Sequence, residues 1–427
     1  MKGLDMSHKE ILLWWKKKCD VNEIPWYLYG ESLLCLNGLQ DFYEAQESIQ
    51  VAVLSKDYKK LEKKVFSVIP KAWRYKKQKS RIGISNVKLY KKRQILLSIT
   101  ILFDNDTNYY DVDISDKYGY LKKEWFTDTK YLEYQDVKIP VFGGYKDFLY
   151  LVYGDYEKGL FDEFGVGLRV EEKEELREHQ ERCKEALLFL KNLSVEFKLR
   201  YYLLAGSVLG AERHQGFIPW DDDIDIGIRV EDLDYFESIV KKYLSERLPE
   251  GFSMEQRSAF YPYPRMFSKI CYKGRCCIDL WPLVPVYTGA FRLAFTWFFA
   301  RFITKIHYVK IRYSKVKYKK MIKVCSLFIK DETVIKLARK NERKYINRKT
   351  PAYINLYSIY SRKKELILRE WLDDSEERTF EGITVPVVGN TKAYLMQLYG
   401  NYMELPLPWK RSSCHIEYFA GYKKLDK

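Results

Sequence analysis

The chain has no run of about 18 uncharged apolar residues, the length a membrane-spanning helix needs. The nearest approach, residues 293–300, is bounded by Arg292 and Arg301, so no span is expected. No secretory leader is expected either, because Met1 leads directly into a charged, amphipathic stretch. The eight cysteines are scattered and none form a CxxC pair. They read as reduced cytosolic thiols, and the group Cys271, Cys276, Cys277 reads as buried thiols rather than a zinc site. Acidic residues are absent from Leu280 to Lys330, where eleven Lys and Arg are interleaved with Phe291, Phe295, Trp297, Phe298, Phe299, Phe302 and Ile306. Aromatics and cations without acids describe a helix lying in an anionic membrane interface.

What is present is an ordinary globular composition, 47% hydrophobic and 31% charged, long enough for two or three domains. Lys and Arg exceed Asp and Glu by 74 to 58, a net charge of +16. That balance favours anionic partners: nucleic acid, acidic lipid or a phosphate-rich polymer. No RNA-binding signature accompanies it, so no specific nucleic acid is expected.

Residues 204–226 read LAGSVLGAERHQGFIPWDDDIDI, with Asp221, Asp222, Asp223 and Asp225 within five positions. Like charges this crowded raise one another's pKa unless a cation neutralises them. In a strand, Asp223 and Asp225 share one face while Ile224 and Ile226 face the core. Hard oxygen ligands beside a short Gly-Ser turn suit Mg²⁺ touching a substrate phosphate. The turn at Gly206 and Ser207, opening a helix from Val208, offers backbone N–H groups to that phosphate. Around it the spacing predicts a helix over 170–197, a strand over 201–204, a helix over 231–246 and a hairpin of 266–271 with 276–283. Asp279, on the second hairpin strand, is the candidate third carboxylate.

The chain also resembles itself. At a shift of 175, residues 9–65 align with 184–240 without a gap, sharing Tyr27/Tyr202, Ser32/Ser207, Leu34/Leu209 and Ile49/Ile224. At a shift of 246, residues 139–156 align with 385–402, sharing Pro140/Pro386, Gly143/Gly389 and Gly154/Gly400. Two modules are therefore expected, 1–165 and 166–427, the second with a basic aromatic insertion near 285–360. In the first, Gln46, Glu47, Ser48 and Gln50 stand where the aspartates stand in the second, Glu31 replaces Gly206, and Thr100 is expected in the place of Asp279.

The run AGSVLGAERHQGFIPWDDDIDI resembles the signature of the LicD/fukutin-like family, as do CIDLWPL and the closing YGNYMELPLPWKRSSCH; the resemblance covers about 180–427. It implies an α+β, nucleotidyltransferase-like mixed sheet flanked by helices, here as a degenerate N-terminal copy and an active C-terminal copy. It also implies transfer of a substituted phosphate, phosphocholine foremost, from CDP-choline or another CDP-activated donor. The acceptor would be a sugar hydroxyl of a surface glycan, teichoic acid or lipid-linked precursor. Different readings are nucleotidyl transfer and a non-catalytic protein of the same fold that binds anionic polymers or membranes. Asp223 and Asp225 are assigned to Mg²⁺ (or Mn²⁺), and Asp279 is either a further metal ligand or the base. Asp221 and Asp222 complete the catalytic set. Gly206 and Ser207 cradle phosphate, and the resemblance adds Arg213, His214, Trp220, Arg411 and His415 around the substrate. The expected location is cytoplasmic, peripheral on the inner face of the plasma membrane.

Overall fold

The computed structural model describes residues 7–39, 42, 48–80, 82–168, 170–257, 266–310, 320–358 and 360–411. They divide into two compact units: the described residues up to Val170 joined by Pro406–Arg411, and those from Glu171 to Leu405. The second boundary differs from the expected one, since 406–411 pack with the first unit.

The first unit opens with α1 (His8–Val21), whose Ser7 cap and Glu10 exchange hydrogen bonds in a capping box. Then come β1 (Tyr27–Leu28), α2 (Gly30–Leu39), β2 (Ile49–Leu54) and the short α3 (Tyr58–Lys64). The hairpin strands β3 (Trp73–Ser80), β4 (Gly83–Lys91) and β5 (Gln94–Asn105) follow, then the short β6 (Asn108–Tyr110), α4 (Ser115–Tyr118) and β7 (Leu121–Lys122). The unit ends with the pair β8 (Thr129–Tyr134) and β9 (Val137–Phe142), then α5 (Tyr145–Tyr153) and α6 (Tyr156–Gly159). Its main sheet runs β1-β2-β5-β4-β3, with β2 and β5 parallel and the other neighbours antiparallel. Trp15, Leu28, Val51, Ile99, Phe142 and Phe148 are among its fully buried side chains.

The second unit begins with α7 (Val170–Phe197), β10 (Tyr202–Leu203), α8 (Ala205–His214), β11 (Ile224–Arg229) and α9 (Val230–Arg247). Glu231 and Asp232 in the first turn of α9 complement its dipole. Strands β12 (Phe252–Glu255), β13 (Ser268–Tyr272) and β14 (Arg275–Val286) lead into α10 (Ala290–Lys310), α11 (Lys320–Phe328) and α12 (Asp331–Glu342). After them come β15 (Ala352–Asn355), β16 (Leu366–Leu368), α13 (Arg369–Asp373), β17 (Glu376–Phe380), β18 (Ile383–Val387) and α14 (Thr391–Tyr399). The sheet order is β12-β13-β14-β11-β10-β18-β17, with β15 and β16 added beyond β14. The fold class is thus α+β with mixed sheets, as expected. Ile224, Ile226 and Ile228 are buried along β11 at period two, which leaves Asp225 on the opposite face.

One expectation changes: strand β11 starts at Ile224, so Asp223 lies just before it. Helix α10 buries one face, with Leu293, Trp297, Ala300, Ile303 and Ile306 entering a core shared with Val284, Val334 and Ile354 of the same unit.

The first elements of the two units correspond in detail. Tyr27 pairs with Ala52 and Leu28 with Val51. Tyr202 pairs with Gly227 and Leu203 with Ile226, the same register moved by 175 positions. Helix α5 and helix α14 likewise span 145–153 and 391–399, a shift of 246.

Candidate active site

The parallel register of β11 on β14 sets Asp225 beside Asp279 and Gly227 beside Trp281. Neighbours in register face the same way, so both carboxylates share one face, and Trp281 reaches across to donate its indole N–H to Asp225 Oδ1 at 2.7 Å. Antiparallel β13 brings Lys269 opposite Asp279, and its ammonium contacts Asp279 Oδ1 at 2.6 Å with both side chains largely buried. Burial opposes the charge on Lys269, yet the Asp279 carboxylate holds the ammonium above its usual range. Cys276 adds its thiol, Sγ to Asp279 Oδ1 at 2.9 Å.

Asp223 and Asp279 offer carboxylate oxygens within 4.8 Å of each other and of Cys276 Sγ, and Asp221, Asp222 and Asp223 form a second group of the same size. Oxygens around octahedral Mg²⁺ at about 2.1 Å lie at most about 4.2 Å apart, so slight contraction would close either group on an ion. Desolvation first, then the charges of Asp225 and Asp279, push the Asp223 carboxyl well above the usual carboxylate range. A carboxylate disfavoured in this way is relieved by a cation, and an oxygen-rich donor set fits Mg²⁺ or Mn²⁺. Asp225, whose Oδ1 accepts from Trp281, belongs to neither group but acts on Asp223 through its charge.

Helix α8 starts at this face. Ala205 has φ of +44°, and its N–H donates to the Tyr394 hydroxyl at 3.1 Å. Ser207 Oγ accepts the Asp225 N–H at 2.8 Å, so its hydroxyl fixes the strand. A Cβ at Gly206 would meet Asp221 Oδ2 at 3.0 Å. The aspartate loop is pinned from behind by α7. Gln180, buried, donates to the carbonyls of Pro219 at 3.3 Å and Asp221 at 2.7 Å. His179 and Cys183, one turn apart on the same helix, gather with Cys277. His179 Nε2 lies 2.8 Å from the Cys276 carbonyl, and burial lowers its imidazole pKa to about 4.

The remaining expected residues make other contacts. Arg213 spends its guanidinium on the Tyr402 carbonyl at 2.9 Å and on His214 Nε2 at 3.0 Å. Trp220 is buried. Arg411 lies in the first unit, donating to the carbonyls of Pro406 and Asp162. His415 lies outside the described residues, as do Gln46 and Glu47. In the first unit Gln50 pairs with Ser98, so Ser98 rather than Thr100 holds the place that Asp279 holds beside Asp225. A hollow of about 330 Å³ lined by Tyr202, Arg229, Asp373 and Pro386 opens at the far end of β11 and contains none of Asp221, Asp222, Asp223, Asp225 and Asp279.

Sequence reasoning missed Lys269, Trp281, Gln180 and Glu365. Burial raises the Glu365 carboxyl pKa to about 7, against a hydrogen bond from Ser358, and the charge of Asp225 raises it further. Lys269, Gln180 and Glu365 lie in no motif, and Trp281, although inside CIDLWPL, shows its bond to Asp225 only through strand register.

Residues 198–321 match the family described as LicD/FKTN/FKRP, nucleotidyltransferase domain. The chain is similar to the lipopolysaccharide cholinephosphotransferase LicD of Haemophilus influenzae, 41% identical over 15% of this chain and 24% of that one. Over 20% of its length it is 35% identical to the human ribitol 5-phosphate transferase FKRP, covering 17% of the latter. A protein of Rickettsia prowazekii, RP689, is 30% identical over 33% of this chain and 46% of its own. The chain thus spans less than half the length of these relatives. Among solved structures, ANT(2")-Ia with adenylyl-2"-tobramycin is similar at a TM-score of 0.23 and 11% identity over 31% of this chain and 69% of that one. Residues 198–321, which carry the aspartate run and the Asp225–Asp279 register pair, are thus a segment that matches the LicD/FKTN/FKRP nucleotidyltransferase domain.

Proposed function

We propose that the second unit transfers a substituted phosphate, phosphocholine foremost, from a CDP-activated donor to a sugar hydroxyl of a glycan or lipid-linked glycan. The observation that carries this reading is the convergence of Asp221, Asp222, Asp223 and Asp279 beside the N-terminus of α8, on a domain whose relatives are named phosphotransferases.

In such a transfer the acceptor oxygen bonds to the phosphorus bearing the headgroup, the bond from that phosphorus to the bridging oxygen breaks, CMP leaves, and the hydroxyl proton passes to a base. The protein's share is positioning and charge control. Asp223 and Asp279, with Asp221 and Asp222, would hold Mg²⁺, which neutralises donor phosphate when bound. Trp281 and Ser207 fix Asp225 from its side chain and its backbone, and Gln180 fixes the loop that presents the other carboxylates. Asp279 already shares the Lys269 ammonium, which favours the role of cation ligand over that of base. The first N–H groups of α8 suit a donor phosphate.

The first unit fits a degenerate copy of the second. Ser32 Oγ accepts the Gln50 N–H at 2.8 Å, as Ser207 accepts Asp225. Lys88 pairs with Ser98 as Lys269 pairs with Asp279. Where carboxylates would stand, Gln50 Oε1 instead takes the Glu31 N–H at 3.0 Å, filling the helix N-terminus with the chain's own amide.

Incubating the full chain with CDP-choline or CDP-ribitol, Mg²⁺ and candidate glycans tests the reading. CMP release that depends on acceptor and is lost in Asp223→Ala supports it. Pyrophosphate release from CTP in place of CMP release would replace it with nucleotidyl transfer.

A further inference from the structure

Helices α10 and α11 bury one side each and leave a second apolar stripe outward. On α10, Leu293, Trp297, Ala300 and Ile303 recur at helical spacing and are buried, whereas Phe291, Phe295 and Phe298 recur at the same spacing and are 84%, 54% and 66% exposed. On α11, Ile322 enters the core, and Val324, Leu327 and Phe328 are exposed, the last two by more than 80%. An interior helix would bury both stripes, and a solvated helix would carry polar residues on the second. These six large apolar side chains have neither fate.

The sequence from Leu280 to Lys330 carries charge of one sign. No acidic residue occurs from Leu280 to Lys330 while eleven Lys and Arg do. Cations also border the stripe from outside the segment. Lys344 lies over the Phe295 ring with Nζ 5.0 Å from its centre, and Arg362 lies over Phe298 at 5.8 Å. Lys305 and Lys330 are exposed beside it.

We infer that the outward face of α10 and α11 docks on an anionic membrane surface, with Phe291, Phe295, Phe298, Leu327 and Phe328 entering the acyl boundary and the cations meeting acidic headgroups. Charge complementarity selects this occupant. A second copy of the chain would set cations against cations, which repels. A nucleic acid would satisfy the cations and could stack on Phe, but it offers nothing for Val324 or Leu327. An acidic lipid surface satisfies both at once, the pattern of an interfacial amphipathic helix. No helix among the described residues is long and apolar enough to cross the membrane, so the contact would be peripheral. This inference does not depend on the transfer chemistry.

The test uses the full chain with vesicles of phosphatidylglycerol and phosphatidylcholine, and with pure phosphatidylcholine, read by sedimentation. Binding is expected to the anionic vesicles only, to weaken with salt, and to fall at least tenfold in the triple variant Phe291→Ser, Phe295→Ser, Phe298→Ser. These side chains are exposed, so the variant is expected to melt with the parent protein, and CMP release from a soluble acceptor reports the catalytic unit separately. The inference is overturned if anionic vesicles are not bound or the triple variant binds them equally. It is overturned as well if light scattering finds a dimer that the triple variant abolishes without any vesicle binding. RNA binding that survives the triple variant, with no vesicle binding, would assign the cations to nucleic acid instead.

Discussion

The buried ion pair between Lys269 and Asp279 supports a quantitative prediction. Lys269→Met keeps the length of the side chain and removes the only ammonium in contact with Asp279 among the described residues. At 2.6 Å and an effective dielectric of about 20, the pair is worth roughly 6 kcal/mol of direct attraction, before desolvation is subtracted. Removing one partner of a buried pair typically costs about 3–5 kcal/mol, because the remaining charge is left uncompensated. Here the remaining charge sits beside Asp223, whose carboxyl is already raised by its neighbours, so the upper part of that range is expected. For a unit of this size each kcal/mol moves Tm by about 2–4 °C, giving a fall of roughly 10 °C or more. The Lys269 ammonium is held above its usual range, so its contribution is complete below the unfolded lysine pKa and is lost only as pH rises through the folded value. Circular dichroism melts at pH 7 should therefore show the full loss. Adding Mg²⁺ should restore more of it in the variant than it adds to the parent protein, because the ion replaces the missing positive charge. A Lys269→Met protein that melts within about 2 °C of the parent, with no extra response to Mg²⁺, would refute the cation-dependent account of this site.

Asp223→Asn should raise the Tm of metal-free protein, since it removes a repelled charge, and under the proposed metal-binding role should lower turnover at least ~100-fold. Because the Asp223 carboxyl is raised, the folded state binds more protons than the unfolded one above the unfolded carboxylate pKa. Metal-free stability should then fall as pH rises through that window, and saturating Mg²⁺ should flatten the profile in thermal melts. Glu365→Gln should stabilise the protein above pH 7, by as much as about 3 kcal/mol, because burial raises the folded carboxyl pKa to about 7 and its ionisation opposes folding; equal denaturant midpoints at pH 8 would contradict this. Ser207→Ala and Ser32→Ala should each cost about 1–3 kcal/mol by leaving a strand N–H unpaired, but only Ser207→Ala should lower kcat. Gln180→Leu should lower kcat with a smaller change in KM, since the Pro219 and Asp221 carbonyls lose their donor and the aspartate loop loosens.

Local pattern determined a good deal. The aspartate run, a helix at the Gly-Ser turn and the hairpin are short-range features found close to where spacing placed them, and the alternation of isoleucine with aspartate holds for Asp225 but not for Asp223. The residues that align at a shift of 175 include the pairs Tyr27–Ala52 and Tyr202–Gly227, which stand in the same register.

What surrounds the carboxylates was settled by pairings that spacing does not fix. The hairpin turn alone would set Ser268 opposite Asp279, but a register shift between Ile270 and Cys271 moves the strand by one residue and puts Lys269 there. The same shift, between Leu89 and Tyr90, puts Ser98 opposite Lys88, and the parallel register then sets Ser98, not Thr100, beside Gln50. Arg213 and Arg411 looked available for phosphate because nothing in the sequence shows the carbonyls that claim them. In the insertion, composition revealed the cations and aromatics, whereas only packing separated the buried stripe of α10 from the exposed one. Sequence alone thus determined that a carboxylate centre exists and which strand carries it. The tertiary structure decided its neighbours, because a one-residue slip in a strand reverses every side chain on it and leaves no local trace.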